Sequence, residues 1–374
     1  MFIILILLIN YLLNAKNKKE NFIAKWNDEN KKMTYYRCPE KDLGTITKKI
    51  FQQNNINNSL NQDWTIYIPC GYNNVEEELK TILIGKDPNK KYIFGLNGCD
   101  SIVSKNKIWE SLVTCFGRDF ARSLMPESYV LDNRDDMMEF EKQFNDNNSV
   151  IYILKKNVQR KEGLKLTTDF FEINNAKAEN YKVVQKYITD LYLINGYKVN
   201  LRIYLLVVHK NNNIKFYISK NGKCIYTNKK YNDNNFDFES NITSYNLDMS
   251  VYKDNPRNFD ELRNYISKKS GADKAALLFK NIDILFKNMA QCLKKSIFQS
   301  ANIESSTSFQ LFGADVIFTN NFHPYLLELN KGPDMTSRDE KDEIMKTLVQ
   351  NDMFKMVGII PGNNNNKNSF YLLD

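Results

Sequence analysis

Two carboxylates and a carboxamide near the end of the chain, Asp315, Glu328 and Asn330, are the residues best placed by type and spacing to do chemistry. They sit in Phe312–Ile317 (FGADVI) and Tyr325–Asn330 (YLLELN), two runs that read as buried strands. A carboxylate inside such a run is costly unless something neutralises it. Glu328 and Asn330 are two apart and therefore share one strand face. Thr319–His323 supplies a turn that folds one strand back beside the other. Two acids and an amide converging in this way make an all-oxygen site for a hard cation such as Mg²⁺, which usually arrives with phosphates. The competing reading is an edge hairpin whose acids face water.

Cationic groups that could oppose these acids come from the middle of the chain. Lys155 ends a buried strand, Val150–Leu154, and enters the polar loop Asn157–Gly163, from which a lysine can reach a phosphate as a point charge. That loop holds Arg160 and Lys161 but a single glycine, so it is no Walker A loop. Gln185, Lys186, Tyr187 and Ile188 end a second strand, Lys182–Ile188, and could offer backbone N–H and C=O groups to an adenine edge. On a third strand, Tyr197–His209, the residues Lys198, Asn200 and Arg202 alternate with Val199, Leu201 and Ile203, which makes a polar stripe on one face. The fork of an arginine suits a planar carboxylate or an acyl phosphate. Each feature also has a plain reading, as a basic turn, a strand end or a solvent-facing stripe.

The elements that must position these residues follow from periodicity. Trp64–Pro69, Tyr92–Gly95 and Tyr129–Leu131 read as strands. Leu43–Phe51, Val75–Ile84, Lys105–Phe120 (broken near Gly117), Asp135–Phe144, Asp273–Phe298 and Asp339–Met356 read as helices. Ile214–Ser219 and Cys224–Thr227 read as short strands around an Asn221-Gly222 hairpin turn. Gly362–Asn368 (GNNNNKN) reads as a disordered tail.

The bulk numbers narrow the class. A chain of 374 residues has room for two or three packed units. Its 42% hydrophobic and 26% charged residues are ordinary for a globular protein. A formal charge of +8 suits an acidic partner. No Lys/Arg run of the length of a nucleic-acid tail occurs, so no nucleic acid is expected. Cysteines at positions 38, 70, 99, 115, 224 and 292 form no CxxC and match neither a zinc site nor a small disulfide scaffold, so reduced thiols in the cytosol are expected. With only His209 and His323, a multi-histidine metal centre is excluded. Phe2–Leu13 is apolar but spans only about 18 Å as a helix, short of the roughly 30 Å of a bilayer core. Followed by Lys16, Lys18 and Lys19, it reads as a signal-anchor-like segment that would associate the chain with a membrane and leave a catalytic domain in the cytoplasm, with a signal-peptide core lacking its basic start and a helix packed on the protein as the other readings.

In order and spacing these segments resemble the tubulin–tyrosine ligase family, from about Leu96 to about Ile359. The resemblance is carried by Val183–Ile188 (VVQKYI), Gly196–Val207 (GYKVNLRIYLLV), Phe309–Asn330 (FQLFGADVIFTNNFHPYLLELN) and Gly332-Pro333; Met125–Tyr129 and Val150–Lys155 fit more loosely. It implies an α+β, ATP-grasp fold with mixed and antiparallel sheets flanked by helices, preceded by a smaller α/β domain. The expected division is an apolar segment 1–16, a polar tether with a short helix 17–62, an N-terminal α/β domain 63–145, ATP-grasp domains 146–359 and a polar tail 360–374. The resemblance further implies an ATP- and Mg²⁺-dependent ligase that joins a free amino acid to a carboxylate on an acidic protein tail such as that of tubulin. In that reading Lys155 (or its neighbour Lys156) touches the phosphates, Gln185, Lys186, Tyr187 and Ile188 flank the adenine, and Lys198 and Asn200 contact the nucleotide. Arg202 faces the reacting carboxylate, and Asp315, Glu328 and Asn330 hold Mg²⁺. Three positions depart from the family pattern. Asn200 stands where Asp is usual, Ile225 where an Arg is usual, and Asn241–Ser244 replaces a His-Leu-Thr-Asn stretch. These departures leave room for a member that binds nucleotide or acidic tails without ligating, and an ATP-grasp enzyme acting on a small molecule is a third possibility.

Overall fold

Apolar residues alternate along the strands and recur at three- and four-residue spacing along the helices. In chain order the strands and helices are β1 (Thr34–Tyr36), α1 (Thr45–Gln53), β2 (Asn57–Asn58), β3 (Ile66–Tyr67), α2 (Val75–Thr81), β4 (Tyr92–Phe94), α3 (Cys99–Val103), α4 (Lys105–Phe116), α5 (Arg118–Leu124), β5 (Ser128–Val130), α6 (Arg134–Asp146), β6 (Tyr152–Lys155), β7 (Leu164–Thr167), α7 (Phe170–Asn175), β8 (Val183–Lys186), β9 (Val199–Lys210), β10 (Asn213–Tyr226), α8 (Phe238–Asn241), α9 (Phe259–Ser270), α10 (Ala272–Leu293), β11 (Thr307–Phe318), β12 (Pro324–Asn330), α11 (Glu340–Val357) and β13 (Phe370–Leu372). The computed structural model describes residues 33–59, 64–82, 91–146, 150–158, 163–232, 236–243, 247–299, 303, 306–362 and 368–373.

The result is an α+β architecture with two mixed or antiparallel sheets flanked by helices. The large sheet runs β13-β10-β9-β11-β4-β3-β1-β2, with β12 also paired to β11; the small sheet runs β5-β8-β6-β7. One face of β9 (Val199, Leu201, Ile203, Leu205, Val207) packs against α9 and α10 through Leu262, Leu278, Ile282 and Phe286. Tyr204 and Leu206, on the opposite face, pack with Phe354 and Met353 of α11 and Phe51 of α1. That second face is therefore covered from Tyr204 onward. Lys198, Asn200 and Arg202 precede the cover and face a cleft instead.

Several expectations are corrected. Asn221-Gly222 is no hairpin turn; β10 runs through it, with a register shift between Ile218 and Gly222. The reversal between β9 and β10 falls at Asn211 and Asn212, both at positive φ (50° and 59°), the backbone a two-residue hairpin needs. Gly222 is there for close approach: a Cβ would lie 2.7 Å from the Arg202 carbonyl and inside the Phe259 ring. Cysteines do not all stay reduced, because Cys38–Cys70 and Cys115–Cys292 are disulfide-bonded, leaving Cys99 and Cys224 as buried thiols. Local spacing could not reveal pairs 32 and 177 residues apart. β1, β3 and β4 extend the large sheet beside β11, while β5 joins the small one. Within the expected polar tail, Phe370–Leu372 is an edge strand on β10. The apolar segment 2–13 lies outside the described residues, as do Arg160 and Lys161. Among the described residues no helix is long and apolar enough to cross a membrane.

Candidate functional site

The polar stripe and the acidic strands meet across the sheet. Lys223 of β10 stands opposite Arg202 of β9, Arg202 opposite Asp315 of β11, and Asp315 opposite Glu328 of β12. One row thus carries two cations and two acids in the order plus, plus, minus, minus. The Arg202 guanidinium grips Asp315 with both arms, Nε donating to Oδ1 at 2.7 Å and Nη2 to Oδ2 at 3.1 Å. Gly313 leaves room for this grip, since a Cβ there would lie 3.1 Å from Arg202 Cδ. A register shift between Asp315 and Val316 skips Leu327 on β12. It turns both Leu327 and Glu328 into the cleft while Leu326 and Leu329 stay in the core.

Glu328 is surrounded by donors. Lys105, at the start of α4, lies 3.4 Å from its Oε2, and Asn330 Nδ2 donates to its Oε1 at 3.2 Å. Burial alone would raise the Glu328 carboxyl, but Lys105, Lys155 and the Asn330 amide outweigh it and hold it down at about 2. Asp315 goes the other way: burial raises it, Arg202 opposes, and the neighbouring Glu328 charge adds to the rise. Asp315, Glu328 and Asn330 present two carboxylates and an amide oxygen on one wall. That all-oxygen set, with one acid kept ionised, fits a hard dication such as Mg²⁺.

The small sheet closes the cleft from the other side. Lys155, at the end of β6, is buried, and its Nζ lies 3.5 Å from the Leu327 carbonyl of β12. Burial pushes this lysine down to about 8, against the pull of Glu328. Lys156 turns away, its Nζ 4.7 Å above the Tyr181 ring, so Lys155 is the one in the cleft. Beyond it the loop is latched at its root, where Asn157 receives the Lys105 backbone N–H at 3.0 Å and donates to Ser104 and Asn106. Tyr187 and Ile188 join Ile153, Leu164 and Ile242 in an apolar wall. Gln185 also lines the cleft, but its side-chain amide is turned to Ser128 at 2.8 Å, and Lys186 is exposed at the rim.

Lys198 is buried beneath this wall. Its Nζ donates to the Tyr187 hydroxyl and to the Asn241 carbonyl, each at 2.8 Å, and lies 4.3 Å above the Tyr187 ring. Burial, with a smaller push from Lys155, brings it down to about 7. Asn200 donates to Thr243 at 3.0 Å, and its side-chain oxygen is buried without a partner, an acceptor open to a ligand donor. Residues 241–243 therefore hold both Lys198 and Asn200; Ser244 lies outside the described residues. The two single-residue departures face each other, Ile225 standing directly opposite Asn200 across β9 and β10. An Asp and an Arg there would face each other as an ion pair.

The whole forms one cleft of about 490 Å³. Its apolar wall fits a planar base, its lysines fit phosphates, and its acid wall fits a dication. Sequence reasoning missed Lys105, Lys223, Tyr204, Arg338 and Lys346, which also line it. Lys223 could have been found from its alternation with Ile225 had Asn221-Gly222 not read as a turn. Lys346 is four residues from Asp342, a helical spacing for an ion pair. Nothing local marks Lys105.

A model of the tubulin-tyrosine ligase family matches residues 91–367. Curated relatives include a "Probable tubulin polyglutamylase" of Bos taurus, 28% identical over 185 residues, 48% of this chain and 39% of that protein. Another of the same description, from Caenorhabditis elegans, is 26% identical over 270 residues, covering 67% of this chain and 63% of its own. A "Probable beta-tubulin polyglutamylase" of Tetrahymena thermophila is 24% identical over 242 residues, 59% of this chain and 20% of that one. The chain spans well under half the length of the bovine relative. With well over half of its residues matched by the family model, this chain belongs to the tubulin-tyrosine ligase family.

Proposed function

We propose that the chain is an ATP-grasp carboxylate–amine ligase, dependent on ATP and Mg²⁺, that adds an amino acid to a carboxylate of an acidic protein tail such as that of tubulin. The observation that carries this reading is the single row Lys223–Arg202–Asp315–Glu328 facing one cleft with Lys155 and Asn330. The names of the polyglutamylase relatives support the same substrate class.

Mg²⁺-bound ATP would supply the phosphoryl group that turns a carboxylate into an acyl phosphate for an amine to attack. Asp315, Glu328 and Asn330 would hold the cation. Lys155, with Lys105 behind it, would neutralise phosphate charge where burial makes such contacts strong. Tyr187, Ile188 and the backbone of Gln185 and Lys186 would bracket the base, with Lys198 and Asn200 beneath it. Arg202 already shows the two-armed grip it would use on a reacting carboxylate. For it to turn from Asp315 to substrate, Asp315 needs another positive partner, which the cation would provide.

Mass spectrometry of tubulin incubated with the chain, Mg-ATP and mixed amino acids tests the reading. Amino-acid mass increments that vanish in Asp315→Ala support it, and no increment from a chain that binds Mg-ATP overturns it. That last result would favour a member that binds nucleotide or acidic tails without ligating. The Asn200–Ile225 facing pair motivates this second reading, since a polar pair of the family pattern is missing.

A further inference from the structure

Behind the large sheet, on the side of β9 away from the cleft, α10 keeps one face in the core and one in solvent. Leu278, Ile282, Phe286 and Met289 bury the first face. The opposite face is the exposed run Lys280, Ile284, Lys287, Gln291 and Lys294, in steps of four and three residues that keep them in line. Lys295 stands beside Lys294 just past the helix, and Phe298 continues the line. From Lys280 to Lys294 the helix rises about 21 Å.

Among the described residues, Lys280, Lys287, Lys294 and Lys295 have no acidic partner. Past Asp273 the only acid of the helix is Asp283, which accepts the Tyr371 hydroxyl. Acids of the flanking helices are engaged too. On α9, Asp260 stands by Arg263, and Glu261 accepts the Arg257 backbone N–H and the Lys341 ammonium. On α4, Glu110 stands by Lys107. Elsewhere on the surface, lysines are matched with acids, as in Lys49–Glu343 and Lys341–Glu261. The negative end of a helix accounts for Lys294 and Lys295, but that effect fades within the last turn and leaves Lys280 and Lys287 without a partner in the fold. Like charges along one face gain nothing from one another, and such a face attracts an anionic partner.

Two apolar side chains accompany the lysines. Ile284, between Lys280 and Lys287, is 47% exposed, and Phe298 is 56% exposed. Two isolated side chains bury too little apolar area to enter a bilayer. One apolar contact flanked by lysines instead matches a peptide whose carboxylates surround an apolar side chain. The face is also held firm, since Cys292 is bonded to Cys115 of α4 and Asn281 donates to the Phe322 carbonyl at 3.0 Å.

We propose that the solvent face of α10 docks an acidic polypeptide segment, with its carboxylates on Lys280, Lys287, Lys294 and Lys295 and an apolar side chain on Ile284. Lys198, Asn200 and Arg202 point to the other side of β9, so the docked segment lies outside the cleft. The surface stands whether or not the chain ligates.

Fluorescence anisotropy of a labelled, terminally blocked oligoglutamate peptide with a central leucine, added to the full chain at low salt, tests this. The parent chain should bind it and should not bind its glutamine counterpart. Lys280→Glu with Lys287→Glu should weaken binding about tenfold or more, because two surface attractions become repulsions. Ile284→Ser should weaken it about threefold, part of the worth of one buried side chain. Lys48→Glu with Lys142→Glu makes the same change of net charge at exposed sites of α1 and α6, and should shift affinity less than about twofold. If the reversed pair on α10 does not fold, Lys280→Gln with Lys287→Gln decides, with a loss of about threefold expected. A parent chain that does not bind the peptide overturns the surface, as do equal losses in the two reversed pairs. A reversed pair on α10 without effect overturns it as well, and places the peptide elsewhere. Binding to phosphatidylserine vesicles without binding to the peptide overturns it in favour of an anionic membrane.

Discussion

Two neighbouring rows on the same face of the large sheet differ sharply. The row through Arg202 is fully charged, with Lys223 on one side and Asp315 and Glu328 on the other. The row through Asn200, two residues earlier on the same strand, has Ile225 beside it and no charge. In the first, each ion has a partner of opposite sign within reach, so burial is tolerated. In the second, an acid without its arginine would be buried alone, and an arginine without its acid likewise. Charge stands where several strands supply it together and is absent from a facing pair in which each charge would depend on the other.

The charged row breaks most easily at its centre. Asp315→Ala leaves Arg202 buried and unpaired, and should cost about 3–5 kcal/mol of folding stability. Urea denaturation followed by circular dichroism measures it, and a loss under about 1 kcal/mol, the worth of a surface pair, would mean that the row is solvated rather than buried. At the acid end, Glu328→Gln should weaken Mg²⁺-dependent binding of an ATP analogue by at least about tenfold, the lower bound even for outer-shell partners of a metal. Titration with Mg²⁺ at fixed analogue concentration reads this directly.

The lysines sharpen the comparison through pH. Lys198 at about 7 and Lys155 at about 8 lie below the 10.5 of a free lysine. A depressed basic group means that the unfolded chain binds more protons than the native one between these values, so these two lysines should make the ligand-free protein more stable as pH rises from about 7 towards 10.5. Binding of an anionic nucleotide would restore their charge. Analogue affinity should therefore fall as pH rises from 7 to 9, by up to about tenfold per unit for each titrating lysine, with proton uptake seen in buffers of different ionisation enthalpy. Affinity independent of pH over that range would remove both lysines from the nucleotide site.

The smallest effect concerns the uncharged row. Asn200→Asp and Ile225→Arg should each destabilise the chain alone, and together recover about 1 kcal/mol relative to the sum. A double-mutant cycle by thermal or urea unfolding measures this coupling. Zero coupling would show that the facing positions no longer touch.

Much of this was legible before any coordinates. The strands around Asp315 and Glu328, the turn at Thr319–His323, the stripe of Lys198, Asn200 and Arg202 and the helix break at Gly117 all follow from local pattern. That is because side-chain alternation and turn chemistry are set by neighbours in sequence. The Asn221-Gly222 misreading had the same source: a local turn signal was overridden by Phe259 packing from 37 residues away. Lys105 reaching Glu328, Lys155 reaching Leu327 and Asn241 receiving Lys198 depend on separations that no local signal encodes.

The residue types and their spacing by themselves marked Asp315, Glu328, Asn330, Lys155, Lys198 and Arg202 as side chains able to bind a cation, a phosphate or a carboxylate, because charge and strand parity are properties of the chain. Which of them share a row, that Arg202 rests on Asp315, and that Lys223 and Lys346 divide one carboxylate were decided only in three dimensions. Register between strands and the docking of α11 on the sheet arise from burying apolar surface across the whole molecule, and that optimum belongs to no single segment.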